Sequence, residues 1–254
     1  MQFGICTTVE NSPAVKAAGW DFVEERVDLL IQGLVPDSQW NGAQRASKCV
    51  LPLPAANVLV QPVVKLTGPD ASIDTIRSYM TTVLDRCHKI GIKTLVFGSG
   101  GARRVPDGFD QAQARRQILE FLRLIAPMLQ QRGIMLVIEH LNRNETNIIL
   151  SVEEAMTYVR ELNHPNIRCL LDTYHFWLNQ ERMDSIAPAL PWLKHVHVSD
   201  VDRHPPKNGD YRSIFSILKK GGYEGPISVE AINFDIEQDG KRVLAFLKDE
   251  WSKA

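Results

Sequence analysis

Four residues with metal-binding side chains stand at the ends of four short apolar runs. They are Glu139 after IMLVI, Asp172 after IRCLL, His197 closing LKHVH and Glu230 closing PISVE. Successive members are 33, 25 and 33 residues apart, and a strand-plus-helix unit of an eightfold barrel takes roughly 25 to 40 residues. Because the carboxyl ends of all strands meet at one mouth of such a barrel, a single site can contain all four side chains.

The types of these side chains indicate which ion they would bind. Three carboxylates and one imidazole, without sulfur, favour Mn²⁺, with Co²⁺ or Mg²⁺ as alternatives, over a structural zinc. Clustered carboxylates repel one another, and a divalent cation removes that repulsion. Each residue alone has an ordinary structural explanation, so the prediction rests on their joint spacing. His195 shares a strand face with His197, but His197 is nearer the mouth, and we therefore expect His195 to be a packing or supporting group.

Eight apolar runs rich in Val, Ile and Leu predict the strands that position these residues, because both faces of a buried parallel sheet are covered. Helical patterns alternate with them, and one such helix is expected to kink or break at Pro127. The stretch 26–56 is less regular, with a short helix in VDLLIQGLV and a loop at PLPAAN. We therefore expect one (β/α)8 barrel domain spanning residues 1–254, whose third unit is the least regular. The predicted strands are 2–7, 21–25, 57–61, 94–99, 134–139, 167–172, 193–198 and 226–230, and the predicted helices are 72–90, 111–131, 151–162 and 211–220.

Composition narrows the class of protein. The 29 basic and 30 acidic residues give a formal charge of -1, which provides no field to attract a nucleic acid. The four cysteines form no CxxC pair, a usage that suits a reducing cytoplasm. The start lacks a secretory pattern, and no apolar run approaches the ~18 residues that span a bilayer. A cytoplasmic enzyme without nucleic-acid or membrane partners is expected.

The sequence around these residues resembles the xylose-isomerase-like barrel superfamily. Within it, the chain looks most like ketose 3-epimerases of the D-tagatose 3-epimerase type and like hydroxypyruvate isomerases. The resemblance implies an isomerase or epimerase that uses one divalent metal ion on a small carbohydrate or hydroxy-carbonyl substrate, in families that often form dimers or tetramers. It covers most of the chain from the fourth predicted strand onward, in the blocks GSGGARRVP, IEHLNRNETN, LLDTYHFW, HVHVSDVDRHPP and GDYRSIFSILKKGGYEGPISVE.

The resemblance also implies roles for individual residues. Glu139, Asp172, His197 and Glu230 would hold the metal ion, and the two glutamates would double as acid and base. Removing a proton next to a carbonyl gives a cis-enediolate, whose charge a metal ion stabilises. Two glutamates on separate strands can flank the carbon, as inversion of its configuration requires. Three further residues match epimerase positions that contact substrate oxygens, and they are Glu145, His175 and Arg203.

Several alternatives stay open at this point. Inosose and dehydroshikimate dehydratases use a similar site but expel water after removing the proton. Endonuclease IV needs a three-zinc cluster with more histidines, and a non-catalytic sugar-binding barrel would not need both glutamates. The loop GSGGARR, with Arg103 or Arg104, and a second loop with Lys207 and Arg212 could each bind a phosphate, so free sugars and sugar phosphates are both candidates.

Overall fold

Eight parallel strands form a closed barrel in the computed structural model, which describes residues 1–254. Each strand pairs with the next along the chain, and the last pairs with the first. This order confirms the predicted (β/α)8 fold. The strands are β1 (Phe3–Cys6), β2 (Phe22–Arg26), β3 (Ala55–Asn57), β4 (Thr94–Phe97), β5 (Met135–Glu139), β6 (Ile167–Asp172), β7 (Leu193–Val198) and β8 (Ile227–Val229).

Helices follow the strands and cover the outside of the barrel. Their ends agree with local sequence signals: Ser151 accepts a hydrogen bond from the Glu154 backbone N–H at 3.0 Å, which is the predicted N-cap. Gly91 takes the left-handed conformation at the end of α3, with a φ of 87°. The helices are α1 (Ser12–Ala17), α2 (Gly42–Ala46), α3 (Ile73–Ile90), α4 (Gly100–Arg103), α5 (Gln111–Arg132), α6 (Val152–Leu162), α7 (Thr173–Leu178), α8 (Tyr211–Lys220) and α9 (Ile236–Lys253), with short helical turns at Val9–Asn11, Val27–Ile31, Asp37–Gln39, Met183–Ser185 and Ala187–Trp192.

One strand was predicted in the wrong place, and a helix predicted to kink or break at a proline has no break. The third strand was expected at 57–61, but β3 covers Ala55–Asn57 and therefore lies in the stretch predicted as a loop. Val58 has a φ of 53°, a left-handed conformation that ends the extended segment. Helix α5 also continues through Pro127 to Arg132 without a break.

The barrel interior is polar on one side and apolar on the other. Val96, Val137 and Leu170 form a small cluster separate from the main hydrophobic core. Val137 and Leu170 precede Glu139 and Asp172 by two residues, so they face the same way along β5 and β6. These apolar side chains form the layer beneath the acidic residues at the mouth. No helix of the structure combines the length and the apolar character that crossing a membrane requires.

Candidate metal and substrate site

The four predicted ligands converge at the carboxyl mouth of the barrel. Glu139 and Asp172 end β5 and β6, His197 lies in β7, and Glu230 directly follows β8. The His197 Nδ1 atom is 3.4 Å from Glu139 Oε1, 3.9 Å from Asp172 Oδ2 and 3.4 Å from Glu230 Oε2. One possible ligand atom from each residue lies within 4.8 Å of those of the other three. The structure thus brings together the residues that the sequence grouped.

The chemistry of this cluster fits a bound cation. Glu139 Oε1 and His197 Nδ1 are buried and have no hydrogen-bond partner. Burial, together with the charges of Glu139 and Glu230, raises the pKa of Asp172 well above its usual value. Three carboxylates held this closely repel one another unless a positive charge lies between them. A divalent ion would satisfy the two unpartnered atoms and offset the repulsion.

Gly98, directly after β4, makes room for one of these carboxylates. A Cβ atom at this position would overlap Oε2 of Glu139. The sequence predicted a possible anion-binding loop at this glycine. In the structure, the absence of a side chain leaves the space that the Glu139 carboxylate occupies. Gly98 therefore sets where the Glu139 carboxylate can lie.

Glu230 is held by polar groups on both of its oxygens. Asn57 Nδ2, from the end of β3, donates to Oε1 at 2.8 Å, and Arg203 Nη2 donates to Oε2 at 3.0 Å. Burial alone would raise the pKa of Glu230, but His197 and Arg203 reverse that effect and hold it below its usual range. Glu230 is therefore ionised and can accept a proton.

Arg203 reaches the site from the loop after β7. Its guanidinium lies 4.6 Å from the centre of the Tyr174 ring, and its Nη1 is 3.5 Å from Glu145 Oε1. Its backbone has a φ of 62°, which is uncommon for a residue other than glycine. The Ile232 N–H donates to the Arg203 carbonyl at 2.9 Å, so the loop after β8 holds this conformation. Backbone strain of this kind often occurs at functional sites.

His175 presents a free donor beside the cluster. Its Nδ1 accepts hydrogen bonds from the backbone N–H of Asn142 at 3.1 Å and from the Asn142 side chain at 2.9 Å. Burial lowers the pKa of His175 well below its usual value, so the ring is neutral and its proton is on Nε2. Nε2 has no hydrogen-bond partner and lies 4.0 Å from Asp172 Oδ2. Asn142 therefore orients His175, and the Asn142 side chain also donates to Glu145 Oε1 at 2.9 Å.

A cavity of about 290 Å³ opens beside Glu230. Asn57, Arg203 and Cys6 line it, together with Leu29 and Ile232. Its volume is near the lower end of the range for small-molecule pockets, which begins at roughly 300 Å³. The cavity can therefore hold one small molecule in contact with the Glu230 side of the cluster.

Two of the four basic residues considered for phosphate binding already have partners in the structure. Arg103 is fully buried in α4, where it donates to the carbonyls of Phe97 at 2.9 Å and Ile149 at 3.3 Å. Arg212 pairs with Glu250 at 2.5 Å on an exposed surface. Within GSGGARR, Arg103 thus faces inward, whereas Arg104 is exposed.

Sequence reasoning missed three residues that support the site. Asn142 orients His175, Asn57 holds Glu230, and Glu24 of β2 bonds to His197 at 3.0 Å. The only available signal was position: Glu24 lies near the end of a predicted strand, and Asn142 is inside a recognised block. Asn57 was harder to recognise. The sequence predicted it as the first residue of a strand, whereas it is the last residue of β3.

Comparison with known proteins identifies the family. Residues 13–250 match the family model of the xylose isomerase-like TIM barrel. The chain belongs to this family, which confirms the resemblance given by the sequence blocks.

Several individual proteins that resemble this chain are sugar epimerases. The chain is 32% identical to a ketose 3-epimerase of Arthrobacter globiformis over 134 residues, which are 50% of this chain and 46% of that protein. It is 34% identical to an L-ribulose 3-epimerase of a Methylomonas strain over 44% of this chain and 40% of that protein. The matched part of the chain thus spans about half the length of these curated relatives or less. A crystal structure of a D-psicose 3-epimerase in the presence of D-fructose superposes with a TM-score of 0.84, covering 99% of both chains at 20% identity.

Proposed function

We propose that this protein is a divalent-metal-dependent epimerase or isomerase that moves a proton next to the carbonyl group of a small ketose. The observation that carries the proposal is the placement of Glu139 and Glu230. They approach from β5 and from the end of β8, and each has a carboxylate oxygen 3.4 Å from His197 Nδ1. Two carboxylates from separate strands can address opposite faces of one carbon atom. The names of the relatives, which are ketose and ribulose 3-epimerases, agree with this chemistry.

The four clustered residues would hold the metal ion, and Mn²⁺ suits their oxygen-rich set. When bound, such an ion supplies a Lewis acid for the negative charge that develops on the substrate oxygens. Glu230 is ionised and can remove the proton from one face, while Glu139, once protonated, returns a proton to the other. For the opposite configuration the two glutamates exchange roles, so that each substrate isomer meets a base on the correct side.

Three further residues would bind and orient the substrate. The neutral His175 ring can donate its Nε2 proton to a substrate oxygen, because Asn142 occupies its Nδ1. Arg203 can share its guanidinium between Glu230 and an oxygen of the substrate. Glu145, which is partly exposed and within 3.5 Å of Arg203, can accept from a hydroxyl group.

The charges around the cavity favour a neutral sugar over a sugar phosphate. Arg26 and Arg203 are the basic residues that line it. Arg26 is paired with Asp28 at 2.7 Å, and Arg203 is paired with Glu230 at 3.0 Å. A phosphate would have to compete with these carboxylates for both guanidinium groups. We therefore propose a free ketose as the substrate.

The test is proton exchange in D₂O with Mn²⁺ and a panel of free ketoses, hydroxypyruvate and sugar phosphates, followed by NMR. Deuterium at C3 of a ketose supports epimerisation, whereas deuterium at C1 or C2 supports aldose–ketose isomerisation. Glu139→Gln and Glu230→Gln should each abolish epimerisation, and each should lose exchange on the isomer whose proton the replaced glutamate removes. Glu120→Gln, at an exposed position on α5, is the matched control and should exchange at the wild-type rate. Exchange of both isomers in both site variants would contradict the acid–base assignment.

A dehydratase would begin with the same removal of a proton and then expel water. Its product would be an enone or a related conjugated compound that absorbs ultraviolet light. Absorbance should therefore be followed in the same incubations. Growth of such a band together with loss of substrate would replace the epimerase proposal with the lyase.

A further inference from the structure

Glu24 is a fully buried carboxylate directly beside the proposed metal site. It lies in β2, and its side chain points into the barrel, where it is 0% exposed. Oε1 is 3.0 Å from His197 Nε2, and Oε2 is 2.8 Å from both His195 Nε2 and Ser228 Oγ. Three groups from β7 and β8 thus meet one carboxylate from across the barrel.

The hydrogen bonds of Glu24 determine which nitrogen of His197 can bind a metal ion. A carboxylate has only acceptor atoms, so the imidazole nitrogen that bonds to it must be the donor. Nε2 of His197 therefore keeps its proton when the ring is neutral, and Nδ1 is the nitrogen that can offer a lone pair to a metal ion. Nδ1 is the atom that faces Glu139, Asp172 and Glu230. We infer that Glu24 is a positioning residue that fixes the tautomer and the ring orientation of His197 and thereby sets the metal affinity of the site.

The same carboxylate explains the spacing of the two histidines. His195 and His197 are two residues apart on β7 and point to the same side, with ring centres 5.0 Å apart at an interplanar angle of 81°. Each ring donates to a different oxygen of Glu24. His195 therefore braces Glu24, and Ser228 binds the same oxygen from β8. The carboxylate has little freedom to turn away from His197.

A second metal site is the competing explanation for this cluster. Glu24, His195 and His197 have possible ligand atoms within 4.8 Å of one another. The hydrogen bonds of 2.8 Å and 3.0 Å already satisfy both Nε2 atoms without an ion. A protonated Nε2 cannot bind a metal ion, so the geometry favours a hydrogen-bonded support over a second site.

The inference rests on the proposed metal-dependent function, but its test needs no substrate. Glu24→Gln keeps the size of the side chain and leaves one acceptor oxygen for the two imidazoles. Glu25→Gln is the matched control, because Glu25 is the next residue of β2 and its carboxylate instead binds Arg45 at 2.7 Å and the Val9 N–H at 2.8 Å. Mn²⁺ affinity and stoichiometry are measured by competition with a chelating dye, and folding is checked by circular dichroism.

Glu24→Gln should weaken Mn²⁺ binding by roughly 10- to 100-fold, as loss of the partner of a metal-binding histidine does, whereas Glu25→Gln should stay within about 3-fold of the wild type. Ser228→Ala, which removes one bond to Glu24 but leaves its charge, should give a smaller loss in the same direction. It also serves as the readout if Glu24→Gln does not fold. As a second measurement, ¹⁵N NMR of the imidazole rings should find the His197 proton on Nε2 in the Zn²⁺-loaded wild type.

Three results would overturn the inference. They are unchanged affinity in Glu24→Gln, an Nδ1-protonated His197, and two ions per wild-type chain that fall to one in Glu24→Gln. The last result would make Glu24 a ligand of a second site. Tight binding of one ion without proton exchange on any ketose would contradict the proposed function and leave the role of Glu24 intact.

Discussion

Gly98→Ala tests whether the position of the Glu139 carboxylate controls the site. The added methyl group would overlap Glu139 Oε2, and its other close neighbours are Glu139 Cδ at 3.3 Å and Leu141 Cδ2 at 3.6 Å. Van der Waals contact then requires the carboxylate to move by about 1 Å. Because the backbone of β5 is fixed by pairing with β4 and β6, the side chain of Glu139 must take up this movement.

The size of the effect follows from that displacement. A misplacement of about 1 Å in a group that acts on the substrate lowers the rate by roughly 100-fold, or about 2.7 kcal/mol in transition-state free energy. We expect a loss of this order in kcat/KM for exchange on the ketose that the wild type uses best, together with weaker Mn²⁺ binding. The assay is deuterium incorporation at saturating Mn²⁺, so that the loss of metal affinity is separated from the loss of rate.

A double-mutant cycle provides the control. Glu139→Asp shortens the side chain by one methylene group and leaves space for the methyl group of Gly98→Ala. The alanine should therefore cost much less in the Glu139→Asp background than in the wild type, and this coupling is evidence of direct contact. Full activity in Gly98→Ala, or additive losses in the double variant, would refute the steric argument.

Three further predictions concern stability and orientation. Burial raises the pKa of Glu181 from 4.5 to about 7, so the unfolded chain loses this proton first, and the contribution of Glu181 to stability should fall by up to ~3 kcal/mol between about pH 4.5 and 7. In urea titrations, the free energy of unfolding of the wild type relative to Glu181→Gln should therefore decrease across this range, and a difference that does not change with pH would refute it. Asn142→Ala, which removes one of the two donors to His175 Nδ1, should lower kcat roughly 10-fold while the Tm of the metal-loaded protein changes little. Mn²⁺ at 100 times its Kd should stabilise the fold by about 2.7 kcal/mol relative to protein with chelator, and a Tm that does not respond to Mn²⁺ would contradict the metal site.

Most of the barrel was predictable because its strands are continuous apolar runs. Such runs occur where both faces of a strand are buried, and seven of the eight strands overlap their predicted ranges closely. The third failed because β3 contains the small residues Ala55 and Ala56, which lack the branched character of a typical strand. Helix α5 continues through Pro127, whose local sequence favours a kink or break, and packs against α3. Neither feature is visible in the local pattern of apolar residues.

The groups that carry the chemistry were easier to predict than the groups that hold them. A carboxylate or imidazole at a strand end is visible in one segment of sequence, as with Glu139 and His197. A support such as Asn57 is defined only by its contact with Glu230, 173 residues away. Arg103 shows the reverse error, since a basic residue beside glycines suggested an anion site, but its partners are buried carbonyl groups.

The proposed metal ligands and two of the residues that support them come from different strands, which meet because the barrel is closed. The four clustered residues come from β5 to the end of β8, whereas Glu24 and Asn57 come from β2 and β3. These early strands meet the late ones only because β8 pairs with β1, which places Glu24 opposite His197. The later half of the chain therefore contains every proposed ligand and Arg203, but not Glu24 and Asn57, which bond to His197 and Glu230. A barrel in which β1 and β8 fail to pair would keep the recognised sequence blocks and lose the alignment of the site.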